Sequence, residues 1–158
     1  MNHISRRHFI KSSVIAAGAA LSAKSWGQVA GANGDIRVAV IGLNGRGRSH
    51  LSSLGAIKGV RIAALCDVDS AVLERRRMEL DAKGVSAKTY TDLRDVLAAS
   101  DIDAVTIATP NHWHSLAGIW ACQAGKDVYV EKPVSHNIWE GRQLVHAATK
   151  YNRVMQAG

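Results

Sequence analysis

Cysteine is scarce. Only Cys66 and Cys122 occur, with no CxxC and no metal-ligand spacing around them. No disulfide is expected, and each thiol should pack as a small hydrophobe. Acidic residues are missing from the first 34 positions, where Arg6, Arg7, Lys11 and Lys24 supply four of the seven net positive charges. Beyond them 16 basic residues face 13 acidic ones, a net of +3. That is too little for the basic face that nucleic-acid binding needs. Arg75-Arg76-Arg77 is expected to be a solvated helix face. The mildly apolar stretch Val14–Ala23 is too short to span a bilayer. No repeat or low-complexity stretch follows it, and the histidines are not paired with carboxylates in a way that supports a metal site.

With these absences set aside, 158 residues at 47% apolar content suffice for one domain with a real core. Residues 1–34 read as a leader outside that domain. Ser5-Arg6-Arg7-His8-Phe9-Ile10-Lys11 places adjacent arginines before a weak apolar stretch, and small residues at Ala20–Ala23 suit a signal peptidase. The segment resembles a twin-arginine (Tat) export signal, with Ile10 where leucine is commoner. It also reads as an ordinary secretory signal or an uncleaved amphipathic leader. The Tat resemblance implies the Tat translocase as a partner and a periplasmic or secreted protein. That route moves folded proteins, so a cofactor would travel inside.

From Asp35 onward, residues 35–158 alternate between β-branched runs and helical stretches. Strands are expected at Ile36–Ile41, Arg61–Cys66, Lys88–Tyr90, Ala104–Ala108, Asp127–Val130 and Arg153–Gln156. Helices are expected at Arg46–Ile57, Asp69–Lys83 (capped by Asp69), from a Thr91 cap through Leu97, at His112–Ala124 closed by Gly125, and at Ile138–Lys150. Such alternation with short turns implies right-handed crossovers and a doubly wound parallel sheet, an α/β Rossmann architecture.

Gly42-Leu43-Asn44-Gly45-Arg46-Gly47 follows the first strand and opens a helix, the setting of the dinucleotide fingerprint G-x-G-x-x-G. Gly42 and Gly47 fill its first and third positions. Asn44 replaces the second glycine; asparagine tolerates left-handed backbone, and Gly45 keeps the loop permissive. Backbone N–H groups and a helix start, at Arg46, are then offered to an anion. Asp67, at the end of the second strand, would accept hydrogen bonds from ribose hydroxyls and repel a 2′-phosphate, which favours NAD over NADP.

Val128-Tyr129-Val130-Glu131-Lys132-Pro133 ends a strand on two ionisable residues and a proline, which stops the strand. Lys132 is thereby held on the rim of the sheet, where open α/β sheets bind ligands. Proton transfer or substrate polarisation suits that place. A solvated strand-end lysine is the plain alternative.

Three further stretches complete a pattern: Ala108-Thr109-Pro110-Asn111-His112-Trp113-His114, Ala124-Gly125-Lys126-Asp127-Val128 and Glu131-Lys132-Pro133. With the glycine loop and Asp67 they resemble the amino-terminal half of a Gfo/Idh/MocA-family oxidoreductase, from about Ile36 to the last residue. The resemblance implies that Thr109, Pro110, Asn111 and His114 line the nicotinamide end of the cofactor. It implies that Glu131, Lys132 and Pro133 border nicotinamide and substrate, with Lys132 the catalytic lysine at a sugar hydroxyl. His112 is left as a helix cap and Trp113 as packing. The resemblance also implies a second α/β domain, absent from this chain, which would carry most of the substrate pocket and the homo-oligomer surface.

The resulting expectation is the NAD-binding half of an exported oxidoreductase acting on sugars or polyols. Some members of the family oxidise a sugar transiently, eliminate a group and return the hydride, so a redox-assisted glycosidase or lyase is a second expectation. A non-catalytic nucleotide-binding module is a third, since half a site cannot exclude water around a substrate.

Overall fold

Val38, Ala39, Val40 and Ile41 are all buried, which makes β1 (Ile36–Ile41) a strand covered on both faces. An unbroken apolar run is what a central parallel strand requires. The strand opens the domain in a computed structural model that describes residues 34–158; the expected export leader lies outside the described residues. β2 (Val60–Cys66), β3 (Lys88–Tyr90), β4 (Ala104–Ile107), β5 (Asp127–Val130) and β6 (Met155–Ala157) join it in one six-stranded sheet. All neighbours are parallel and the order is β3-β2-β1-β4-β5-β6, that of a doubly wound dinucleotide-binding sheet.

Side-chain alternation divides the core in two. Val40, Ile62 and Leu65 pack under α1 (Arg46–Gly55) and α2 (Ser70–Asp81), meeting Leu51, Val72, Leu73 and Leu80. Ala39, Ile41, Val105, Ile107, Val128 and Val130 face the other layer, formed by α3 (Leu93–Ala98), α4 (His114–Gln123) and α5 (Ile138–Lys150). Both cysteines are buried and free. Burial pushes the Cys66 thiol up to about 12, so it packs rather than reacts. No described helix is long and apolar enough to cross a membrane.

Several boundaries differ from the sequence expectation for local reasons. Asp69 caps α2, accepting from the N–H groups of Ala71 and Val72. At α3 the cap is Asp92, which accepts from Arg94 N–H at 2.8 Å; Thr91 is not the cap. His112 does not cap α4 either: it lies in a 3-10 turn (Asn111–Trp113) that precedes the helix. β6 starts two residues late, because Asn152 takes a left-handed conformation (φ 50) and Val154 N–H bonds the Asp127 side chain.

Arg76 corrects the reading of the basic run. It is buried, donating from Nε to the Leu43 carbonyl at 3.2 Å and from the guanidinium end to Glu79 at 2.6 Å. Arg75 is exposed, and Arg77 pairs at the surface with Glu74 and Asp81. Lys126 is also buried. Its ammonium donates to the carbonyls of Ala99 and Ile102 at 2.6 and 2.8 Å and so closes the end of α3 onto the sheet.

Candidate functional site

Strand order reverses between β1 and β4, and the chain leaves these neighbours in opposite directions. A crevice must open at their carboxyl ends. A cleft of about 660 Å³ lies there, lined by Gly42 and Asn44 after β1, Asp67 after β2, and Thr109 and Pro110 after β4. Thr91 to Arg94, Trp113 and Trp120 complete its wall. The sequence reading missed these last contributions. Only the docking of α3 and α4 brings them to the crevice, and a cap motif carries no sign of that.

The glycine loop is shaped by contact. A Cβ on Gly42 would lie 2.7 Å from the backbone of Ala108, and one on Gly47 would lie 1.8 Å from the Gly42 carbonyl oxygen. Both positions therefore exclude every larger residue. Gly42 (φ 83) and Gly45 (φ 47) carry the left-handed backbone. Asn44 does not, so the tolerance expected of asparagine is not what admits it; its side chain is exposed. α1 has no side-chain cap and no acidic residue in its first turn. Gly47 N–H donates to the Asn44 carbonyl at 2.9 Å, and the helix start is otherwise open to an external anion.

Asp67 is tied to this loop. Oδ2 accepts from Leu43 N–H at 2.8 Å and Oδ1 from Asp69 N–H at 3.0 Å. The carboxylate faces the cleft with acceptor capacity left on both oxygens. Arg76, holding the Leu43 carbonyl, fixes the same residue from the other side.

Past β4, Thr109 Oγ1 is buried and has no hydrogen-bond partner among the described residues. Asn111 begins the 3-10 turn. His114 is buried behind the cleft rather than on its wall. Its Nδ1 lies 2.8 Å from the Pro133 carbonyl and its Nε2 2.7 Å from the Thr109 carbonyl. One ring thus joins the loop after β4 to the loop after β5.

Glu131 is buried at the end of β5, and its Oε1 receives Arg46 Nε at 2.7 Å and His50 Nε2 at 2.8 Å. The His50 hydrogen bond, then that of Arg46, hold its carboxyl below the usual carboxylate range despite burial. Lys132 and Pro133 follow at the surface, joined by a cis peptide, beyond the lining of the cleft. Lys132 has no ion-pair partner among the described residues. Those residues contain no cluster of three His, Cys, Asp or Glu side chains that could hold a metal ion.

The cleft therefore offers a glycine cradle, an uncapped helix start, a carboxylate and an unpaired buried hydroxyl. This donor and acceptor set fits a dinucleotide: phosphates at the helix start, a ribose at Asp67, and a polar group at Thr109.

Comparison with known proteins agrees. Residues 36–158 match the family described as "Oxidoreductase family, NAD-binding Rossmann fold". A "Glycosyl hydrolase family 109 protein" of Solibacter usitatus is 33% identical over 97% of this chain and 38% of its own length. Among solved structures, myo-inositol 2-dehydrogenase from Lactobacillus plantarum superposes with a TM-score of 0.71 at 34% identity, over 78% of this chain and 36% of that one. GenD2 from gentamicin A biosynthesis, in complex with NAD, gives a TM-score of 0.72 at 29% identity, over 78% of this chain and 34% of that one. The chain thus spans somewhat over a third of the length of the relatives it matches.

Proposed function

The chain belongs to the Gfo/Idh/MocA oxidoreductase family, and from that premise we propose that it forms the NAD-holding half of an enzyme acting on sugar or polyol hydroxyls. The observation that carries this reading is the uncapped start of α1, packed on Gly42 and Gly47, opening onto the cleft with Asp67 and Thr109. Gly45, Arg46 and Gly47 present the helix start to the diphosphate. Asp67 accepts from the ribose hydroxyls, which sets NAD ahead of NADP. Thr109, Pro110 and Asn111 bound the nicotinamide end, and His114 holds their loop against that of Pro133. When bound, the nicotinamide ring accepts or gives a hydride. Lys132 is the group for the accompanying hydroxyl proton, free of ion pairing and on the rim of the sheet.

Calorimetric titration of NAD and NADP into the protein tests this reading. Binding of NAD with a weaker response to NADP upholds it; no binding of either dinucleotide overturns it.

The curated relatives favour a second reading. Their name points to glycoside cleavage, which the same site serves if a sugar hydroxyl is oxidised, the aglycone leaves by elimination, water adds, and the sugar is reduced again. No net NAD is consumed in that sequence. Product analysis on an intact homologue carrying the same site separates the two: released aglycone without accumulating NADH favours the hydrolase, and NADH matching the oxidised sugar favours the dehydrogenase.

Residues 1–34 support export by the Tat route, which suits a protein that takes up its cofactor before crossing the membrane. Fused to a reporter, this segment should direct export that stops when Arg6 and Arg7 are both changed to lysine.

A further inference from the structure

A buried carboxylate survives only with partners, and Glu131 draws both of its own from α1, a helix on the far side of β4 in the sheet order. Arg46 and His50 stand four residues apart on one helix face, and both reach Oε1. Two apolar side chains would bridge the same gap at lower desolvation cost. The price is visible at His50, whose Nδ1 is buried without a partner among the described residues. The network is therefore not the cheapest way to pack α1 on the sheet.

Its two ends lie where a dinucleotide would be gripped. Arg46 is the first residue of α1, beside the glycine loop. Its Nε is taken by Glu131, while its remaining guanidinium nitrogens have no protein partner among the described residues and its side chain is 62% exposed. Glu131 directly precedes Lys132, and its own N–H is already laddered to Ile107 on β4. The side chain is thus free to set the placement of α1, not the path of β5. Tyr129, two residues earlier on β5, meets the His50 ring edge-on at 5.4 Å and limits where that ring can sit.

We propose that Glu131 and His50 are positioning residues that hold Arg46 and the Lys132 backbone at a fixed separation, so that the diphosphate and nicotinamide ends of one dinucleotide are bound together. The proposal rests on the dinucleotide reading above. The carboxylate pre-orients the arginine for phosphate, and the histidine keeps the carboxylate in place when phosphate competes for that arginine. Pre-orientation of this kind lowers the cost of binding rather than adding a contact.

The test compares NAD with adenosine, which fills the adenosine half and carries no phosphate for Arg46. His50→Ala should weaken NAD about tenfold, the loss expected for one hydrogen bond to a charged group, and leave adenosine within about twofold. His50→Gln, whose amide can still donate to Oε1, should recover most of the NAD affinity. Equal weakening of both ligands would reduce the network to general structure and overturn the proposal, as would unchanged NAD affinity in His50→Ala. If His50→Ala does not fold, Glu131→Gln keeps the volume, removes the charge and carries the same comparison. Failure of the unsubstituted protein to bind either ligand would instead refute the dinucleotide reading on which the proposal stands.

Discussion

A Cβ placed on Gly47 would lie 1.8 Å from the carbonyl oxygen of Gly42. The start of α1 is therefore seated directly on the end of β1, with no side chain between. This contact sets the distance of the uncapped helix start from the sheet, and with it the depth of the crevice.

Gly47→Ala should accordingly destabilise the fold by more than about 3 kcal/mol, since overpacking against backbone has no flexible neighbour to yield. Urea unfolding measures it, and NAD binding should be lost with it. A variant of ordinary stability would mean that the loop can lift off the strand.

NAD should bind at least about tenfold more tightly than NADP, a difference of about 1.4 kcal/mol. Asp67→Ser should narrow that ratio by relieving repulsion of a 2′-phosphate. It should also weaken NAD itself, because the bond from Leu43 N–H to Oδ2 is lost. Paired titrations of the two cofactors separate these effects, and an NADP preference in the unsubstituted protein would refute the role of Asp67.

Lys126→Met should cost about 2 kcal/mol of stability and leave cofactor affinity unchanged. The ammonium satisfies two carbonyls, at Ala99 and Ile102, that a thioether cannot. Desolvation lowers the lysine's proton affinity. The experiment is chemical denaturation beside a NAD titration.

Arg37 grips Asp103 through Nε and Nη2 of one guanidinium edge, and this hydrogen bond first, with the charge of Arg37 behind it, lowers the Asp103 carboxyl to about 2. A depressed folded value means stability that is present above the unfolded value of about 3.9 and lost as pH falls towards 2. Partial exposure keeps the effect modest and salt-sensitive. Asp103→Asn should therefore be less stable than the unsubstituted protein at pH 7, and the gap should narrow below about pH 4 and close as the pH falls through about 2. Urea midpoints across this range would show it.

In an intact homologue, replacing the lysine that matches Lys132 by alanine should lower kcat by about a hundredfold or more, the scale of a lost general acid–base group. Cofactor affinity should stay within about threefold, since Lys132 lies beyond the lining of the cleft. Unchanged turnover would remove the catalytic assignment.

The run Ile36–Ile41, the loop Gly42–Gly47 and the rhythm of strands and helices after Asp35 already contain the parallel sheet and its glycine turn. Apolar periodicity and left-handed glycine are local properties, decided within a few residues. Arg76, Lys126 and His50 could not be read in that way. Each is an ordinary polar residue on a helix or at a strand start, and each becomes buried because its partner lies on another element: Leu43, the carbonyls of Ala99 and Ile102, and Glu131. The wall formed by Thr91–Arg94, Trp113 and Trp120 arises in the same way, from the docking of α3 and α4. By itself the sequence determined the strand order's raw material, the glycine loop and the acidic end of β2, because hydrophobic period and backbone freedom act over short range. Only the tertiary structure decided which charges are buried, which loops His114 joins and which helix holds Glu131, because those contacts depend on side chains brought together from distant parts of the chain.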